Sequence, residues 1–234
     1  MPSLDLPMDA PAAEALSVRP ATRQDIPFIV RIEEIASTPP FPESLWAPCL
    51  RPTGTSLAAF ATAMYEADAS RWGGVEDFLI VERAGQALGA CAVFVPDPDE
   101  PDLRTFRMER LPAVAARLGW TALQSTAFVE AYDKAWGDSG PWLQPQAPVI
   151  IECVGVVPEA RGAGVGTVLM DAAFARTRAL GHAAVGVSVI TGNDGGRRLY
   201  DSVGFEPVVT FHPGFVDGQF PGFTKLRRRL EVVA

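Results

Sequence analysis

The sequence predicts an α/β chain built on a mixed sheet with helices on both faces. Three observations predict it. Apolar runs such as 78–81 and 149–157 have strand length and are bounded by turn residues. Between such runs lie longer segments whose apolar residues recur at helical spacing. A glycine-rich turn, Arg161-Gly162-Ala163-Gly164-Val165-Gly166-Thr167, follows one apolar run directly and opens a helical stretch. With 234 residues, 48% apolar and 21% charged, the chain is long enough and apolar enough to bury a core.

In chain order, residues 1–16 are rich in Pro, Ala, Asp and Met and lack periodicity. They read as a flexible tail, which leaves 17–234 as a single domain. A short first strand at 17–20 precedes a helix with Thr22 as N-cap, carried by Ile26, Phe28, Ile29, Ile32 and Ile35. Pro39-Pro40 closes it. The loop to residue 54 holds Phe41, Trp46 and Cys49, is apolar for a loop, and is expected to cover something. Residues 56–70 read as a second helix with Leu57, Phe60 and Met64 on one face. Strands at 77–83 and 87–95 form an antiparallel hairpin around Ala84-Gly85-Gln86. Breaker clusters at 96–101 and 145–148 bound a helical insertion at about 96–147. Leu111, Val114, Ala115 and Leu118 form one stripe there, and Leu123, Ala127, Glu130, Ala131, Lys134 and Ala135 mark a second helix. After the strand 149–157 and the glycine turn comes an amphipathic helix, 165–180, ended by Gly181. A strand at 183–190, a short helix at 194–202 closed by Gly204, and strands at 205–211 and 223–230 complete the chain. Arg227-Arg228-Arg229 reads as an exposed strand edge rather than an anion site.

Composition narrows the function. A net charge of −8 disfavours a nucleic-acid partner and favours, through its long-range field, a cationic or amine ligand. No stretch nears 18 uninterrupted apolar residues, so no membrane span is expected. The N-terminus has no basic region ahead of an apolar core and does not read as a secretory leader. Three widely spaced cysteines suit a reducing compartment, and a cytoplasmic location is expected. Two histidines without ligand spacing argue against a metal site.

The glycine turn carries the chemistry. A helix start presents unpaired backbone N–H groups at the positive end of its macrodipole. Glycines remove side chains that would keep a phosphate from that backbone. A P-loop needs a lysine beside its last glycine, and none is near Gly166. The dinucleotide fingerprint has a different glycine spacing and an acidic residue after the next strand, and neither is present.

The run Val156-Val157-Pro158-Glu159-Ala160-Arg161-Gly162-Ala163-Gly164-Val165-Gly166 resembles the signature of the GNAT superfamily of N-acetyltransferases, which bind acetyl-coenzyme A. A second family signature falls in register at Asn193, Gly196, Leu199, Tyr200, Gly204 and Phe205. The opening Val18-Arg19-Pro20-Ala21-Thr22 and Asp25 is also similar to that of the family. The insertion at 96–147 stands where most members have a short connection. With the Leu226-Arg227-Arg228 ending, it is similar to the branch that includes puromycin N-acetyltransferase. The resemblance implies a mixed, mostly antiparallel central sheet and transfer of an acetyl group to an amine of a small molecule or peptide.

It also implies residue roles. Backbone groups of Arg161, Gly162, Ala163, Gly164, Val165, Gly166 and Thr167 would surround the pyrophosphate. Val156 and Val157 would pair with the pantetheine arm, and one of their N–H groups would polarise the thioester carbonyl. Asn193 would bind the arm and cap a helix. Tyr200 would be the acid near the sulfur, or else a packing residue. The resemblance does not settle the base, since family members do not share one; the sequence itself offers Glu152, a carboxylate inside an apolar strand, as the base, or else as the partner of an arginine. Alternation sets it on one face with Val154 and Val156. Cys153 reads as core rather than nucleophile, so direct transfer in a ternary complex is expected. The acceptor pocket is expected from the loop 39–54, the helix 56–70, the insertion and the loop 212–222. Trp120, Trp136 and Trp142 line that pocket or pack the insertion, which is a candidate homodimer surface. A non-catalytic acyl-coenzyme A sensor on the same fold would keep the glycine turn but need not keep Tyr200 or an acceptor pocket.

Overall fold

A computed structural model describes residues 15–38, 42–137, 140–212 and 222–231. Its seven strands are β1 (Ser17–Pro20), β2 (Phe78–Arg83), β3 (Gln86–Phe94), β4 (Val149–Val156), β5 (Ala184–Ile190), β6 (Glu206–Phe211) and β7 (Phe223–Arg229). They form one sheet in the order β1-β2-β3-β4-β5-β7-β6. Every neighbouring pair is antiparallel except β4–β5, which is parallel. The mixed, mostly antiparallel sheet is therefore present.

The helices are α1 (Ile26–Ser37), α2 (Ala47–Leu50), α3 (Leu57–Glu66), α4 (Leu111–Leu118), α5 (Ala122–Trp136), α6 (Val165–Ala179) and α7 (Asp194–Ser202). Two glycines show that both sheet faces are covered. A Cβ on Gly155 of β4 would meet Ile32 of α1 at 2.9 Å, and one on Gly89 of β3 would meet Val165 of α6 at 2.9 Å. Ala90, cross-strand partner of Gly155, shares the α1 face, so its neighbour Gly89 faces the other way.

Local chemistry sets the ends. Asp25 accepts from the Thr22 amide at 2.8 Å and from Arg19 at 2.7 Å ahead of α1. Gly181 and Gly204 take φ of +82° and +81° after α6 and α7, where a side chain would be strained. The second helix stops at Glu66 rather than at residue 70, and the loop 39–54 contains α2 and a 3-10 turn, Arg51–Thr53. Residues 1–14 of the expected tail and 213–221 of the expected acceptor loop lie outside the described residues, as does Phe41. Among the described residues no helix is long and apolar enough to cross a membrane.

The insertion packs through aromatic rings. Phe128, Tyr132 and Trp136 form the buried face of α5. Phe128 lies 5.3 Å from both Phe60 and Phe106, and the Phe106 amide donates to the Tyr132 hydroxyl at 2.8 Å. Leu123 is exposed, so the buried stripe of α5 is aromatic rather than aliphatic. The arginine triplet does not form an edge. β7 lies between β5 and β6, and Arg228 stacks over Phe174 at 4.2 Å and donates to the Val203 carbonyl.

Candidate active site

The site begins with a break in β4. Cys153 and Val154 together oppose Cys91 of β3, because Ala90 pairs with Gly155 and Ala92 with Glu152. This β-bulge sets Cys153 at φ +51°, the left-handed region that β-carbon sterics disfavour. Just ahead of the bulge β4 leaves β5. Only Val149, Ile150 and Ile151 pair with Val185, Gly186 and Val187. The two strands part after residue 151, and a cavity of about 630 Å³ lies at the opening.

Glu152, Asn193 and Tyr200 all line this cavity, so the structure brings together three of the residues singled out in the sequence. Simple alternation fails at the bulge, and Glu152 and Cys153 both border the cavity. Burial pushes the Glu152 carboxyl up to about 7, nearby Glu33 adds to the shift, and Lys225 opposes it. No arginine or lysine lies within 4.0 Å of Glu152 among the described residues, so the alternative role as an arginine's partner is not met there, and Lys225 is its counter-charge. Lys225 is 5% exposed, donates to the Gln144 carbonyl, and is pushed down to about 8 by burial.

Tyr200 is buried against Phe205, their rings 5.7 Å apart and nearly perpendicular. Burial, then the negative charge of Glu152, raises its phenol well above the ordinary value, which keeps the hydroxyl protonated. That hydroxyl has no hydrogen-bond partner among the described residues. Asn193 accepts from the Gly196 amide at 3.0 Å and so caps α7, the helix that carries Tyr200.

The glycine turn lies apart from this cavity, at the start of α6. Gly162 and Gly164 take φ of +78° and +80°, and Cβ atoms there would meet nothing within 4 Å. The first α-helical bond of α6 runs from the Val168 amide to the Gly164 carbonyl. The amides of Gly164, Val165, Gly166 and Thr167 are therefore the free donors of the first turn. The amides of Arg161 and Ala163 bond back to Pro158 and Ala160 at 3.3 and 3.4 Å, so the donor set is narrower than the motif implies. The Arg161 side chain donates to the Val156 carbonyl at 3.3 Å.

Val157 departs from expectation. Its amide donates to Leu88 of β3 at 2.9 Å and its side chain is fully buried, so it has no free N–H for a ligand. With Val157 turned to β3, alternation turns the backbone groups of Val156 toward the opened side.

Cavity residues outside the motifs were not legible in the sequence. Glu33 of α1 accepts from the Trp46 indole at 2.9 Å, the Tyr65 hydroxyl at 2.9 Å and the Cys153 thiol at 3.2 Å. Burial and the Glu33 charge hold the Cys153 thiol well above its ordinary range, so it stays a neutral donor rather than a nucleophile. Trp136 and Trp142 line the cavity with rings stacked 5.9 Å apart, whereas Trp120 does not and packs on Phe60. The loop residues Leu45 and Trp46, the α3 residues Met64 and Tyr65, and parts of the insertion form the expected wall.

Residues 118–205 match the model of the acetyltransferase (GNAT) family. That span includes Glu152, the glycine turn, Asn193 and Tyr200. No curated protein sequence matches the chain. Among solved structures, the chain is 18% identical to a ribosomal-protein-alanine N-acetyltransferase from Brucella melitensis, with a TM-score of 0.52 over 92% of this chain and 99% of that one. It is 16% identical to Ard1 from Thermoplasma volcanium, with a TM-score of 0.52 over 93% and 99%. It is 20% identical to the structure named SsHAT, with a TM-score of 0.54 over 92% and 98%. At these identities the likeness is one of fold.

Proposed function

We propose, from the premise that the chain carries a GNAT-family acetyltransferase domain, that it transfers the acetyl group of acetyl-coenzyme A directly to an amine of a small molecule or peptide. The observation that carries this reading is the convergence of Glu152, Tyr200 and Asn193 on one cavity at the parting of β4 and β5. Acetyl-coenzyme A supplies the activated thioester. The free amides of Gly164, Val165, Gly166 and Thr167 bind its diphosphate at the positive end of α6. The Val156 amide, which faces away from β3, orients the pantetheine arm, assisted by Asn193.

Glu152 takes a proton from the incoming ammonium, directly or through a water, because its carboxyl ionises near neutral pH. Tyr200 holds a proton at its hydroxyl for the departing thiolate. The buried, protonated Cys153 thiol supports transfer without an acyl-enzyme. Three unpaired thiols support a reducing, cytoplasmic setting.

The test is Tyr200→Phe. Turnover should fall roughly 10²- to 10⁴-fold, while acetyl-coenzyme A affinity, measured by calorimetry, changes far less. Unchanged turnover removes Tyr200 as the acid.

A further inference from the structure

We propose that Glu33 selects the acceptor by receiving a second positive group on the amine substrate, while the reacting amine meets Glu152 and Tyr200. The inference rests on the acetyl-transfer reading above and adds the acceptor class: a diamine or guanidino-amine rather than a monoamine.

Glu33 is held as a fixed anionic anchor would be. Trp46 donates to Oε1, and Tyr65 and Cys153 both donate to Oε2. The three donors come from the approach to α2, from α3 and from the bulge of β4, so three elements converge on one carboxylate. All three donors are neutral groups. No arginine or lysine lies within 4.0 Å of Glu33 among the described residues, although a half-buried carboxylate without a cation is costly.

Several other charges of the cavity are engaged elsewhere, while Glu76, Asp97 and Arg110 of its lining are exposed to solvent. Arg71 pairs with Glu100 at 3.1 Å, and Arg107 donates to the Ser70 carbonyl at 3.3 Å. Asp68 pairs with Arg23 at 3.0 Å and Asp77 with Arg176 at 3.2 Å. Lys225 faces Glu152. Of the half-buried carboxylates that line the cavity, Glu33 and Glu152 alone among the described residues lack a cation within 4.0 Å. One is needed for proton transfer, and the other is left to hold a charge.

The walls suit the rest of such a substrate. Trp46, Trp72, Trp136 and Trp142 line the cavity in ring contact, with Trp136 6.1 Å from Trp46, 5.5 Å from Trp72 and 5.9 Å from Trp142. Indole faces pack against a methylene spacer and attract a cation. The net charge of −8 draws cations toward the molecule.

The experiment compares diaminobutane and diaminopentane with butylamine and pentylamine, in wild type, Glu33→Gln and Tyr65→Phe. Binding is read by calorimetry without any acetyl donor, and transfer by thiol release with acetyl-coenzyme A. Glutamine keeps the shape: its oxygen can accept from Trp46, and its NH₂ can donate to the Tyr65 hydroxyl. Wild type should bind each diamine at least about tenfold tighter than its monoamine. Glu33→Gln should erase that gap, and Tyr65→Phe, which keeps the charge, should preserve it. Equal affinities in wild type, a gap that survives Glu33→Gln, or a gap lost equally in Tyr65→Phe overturns the assignment. Diamine binding that depends on Glu33 without thiol release upholds the anchor and overturns the acetyl-transfer reading, so the two failures differ.

Discussion

Glu152 and Lys225 oppose one another across the cavity, each moved toward neutrality by burial and restrained by the other's charge. A base must be ionised to act, so kcat/KM should rise with pH through about 7 and level off above it. Glu152→Gln should remove that limb and lower kcat/KM about 10²-fold. Lys225→Met removes the positive charge that favours the carboxylate, so the limb should move to higher pH; a limb that stays in place separates the two groups. The sequence exposed one half of this pair. A carboxylate inside 149–157 stands out because nothing near it in the chain is polar enough to accompany it. Lys225 gave no such signal, since it meets Glu152 only because β7 enters the sheet beside β5. Glu33 was hidden for the same reason: on α1 it looks like any polar residue of an amphipathic helix, and its donors come from distant segments.

Elements were easier to read than contacts. The strands, the cap at Asn193 and the helix stop at Gly181 follow from local rules, and the structure has them within a residue or two. The bulge in β4 was not legible, because nothing in Cys153 announces a positive φ. Its consequence is large, since it ends the alternation from which the facing of Glu152 was argued. The aromatic face of α5 was likewise missed, because its partners Phe60 and Phe106 belong to other elements. Close packing at element crossings gives a sharp test. A methyl at Gly89 would meet the Gly155 carbonyl at 2.9 Å and Val165 at 2.9 Å. Gly89→Ala should destabilise by about 1–3 kcal/mol in urea unfolding. Gly164→Ala meets open space but must hold φ +80°, so it should lose about 1–2 kcal/mol of stability and weaken acetyl-coenzyme A binding.

Across the whole molecule, rings, a backbone bridge between Ser70 and Phe106, and the guanidinium of Arg71 all help to join the insertion to the sheet domain. Arg71, its side chain 10% exposed, pairs with Glu100 and donates to the carbonyls of Arg104 and Phe106. Tyr132→Phe, which leaves the Phe106 amide without its acceptor, should lower stability by about 1–3 kcal/mol and lower affinity for the amine more than for acetyl-coenzyme A. Equal losses for both ligands would dissociate the insertion from the acceptor side. The three-pair ladder between β4 and β5 has a mechanical meaning as well. It is a seam between two plates, β1 to β4 on one side and β5 to β7 on the other, and little main chain crosses it. A ligand lying in the gap acts as a splint. Amides of β5 should therefore exchange with deuterium more slowly once acetyl-coenzyme A is added, while those of β2, far from the seam, keep their rate.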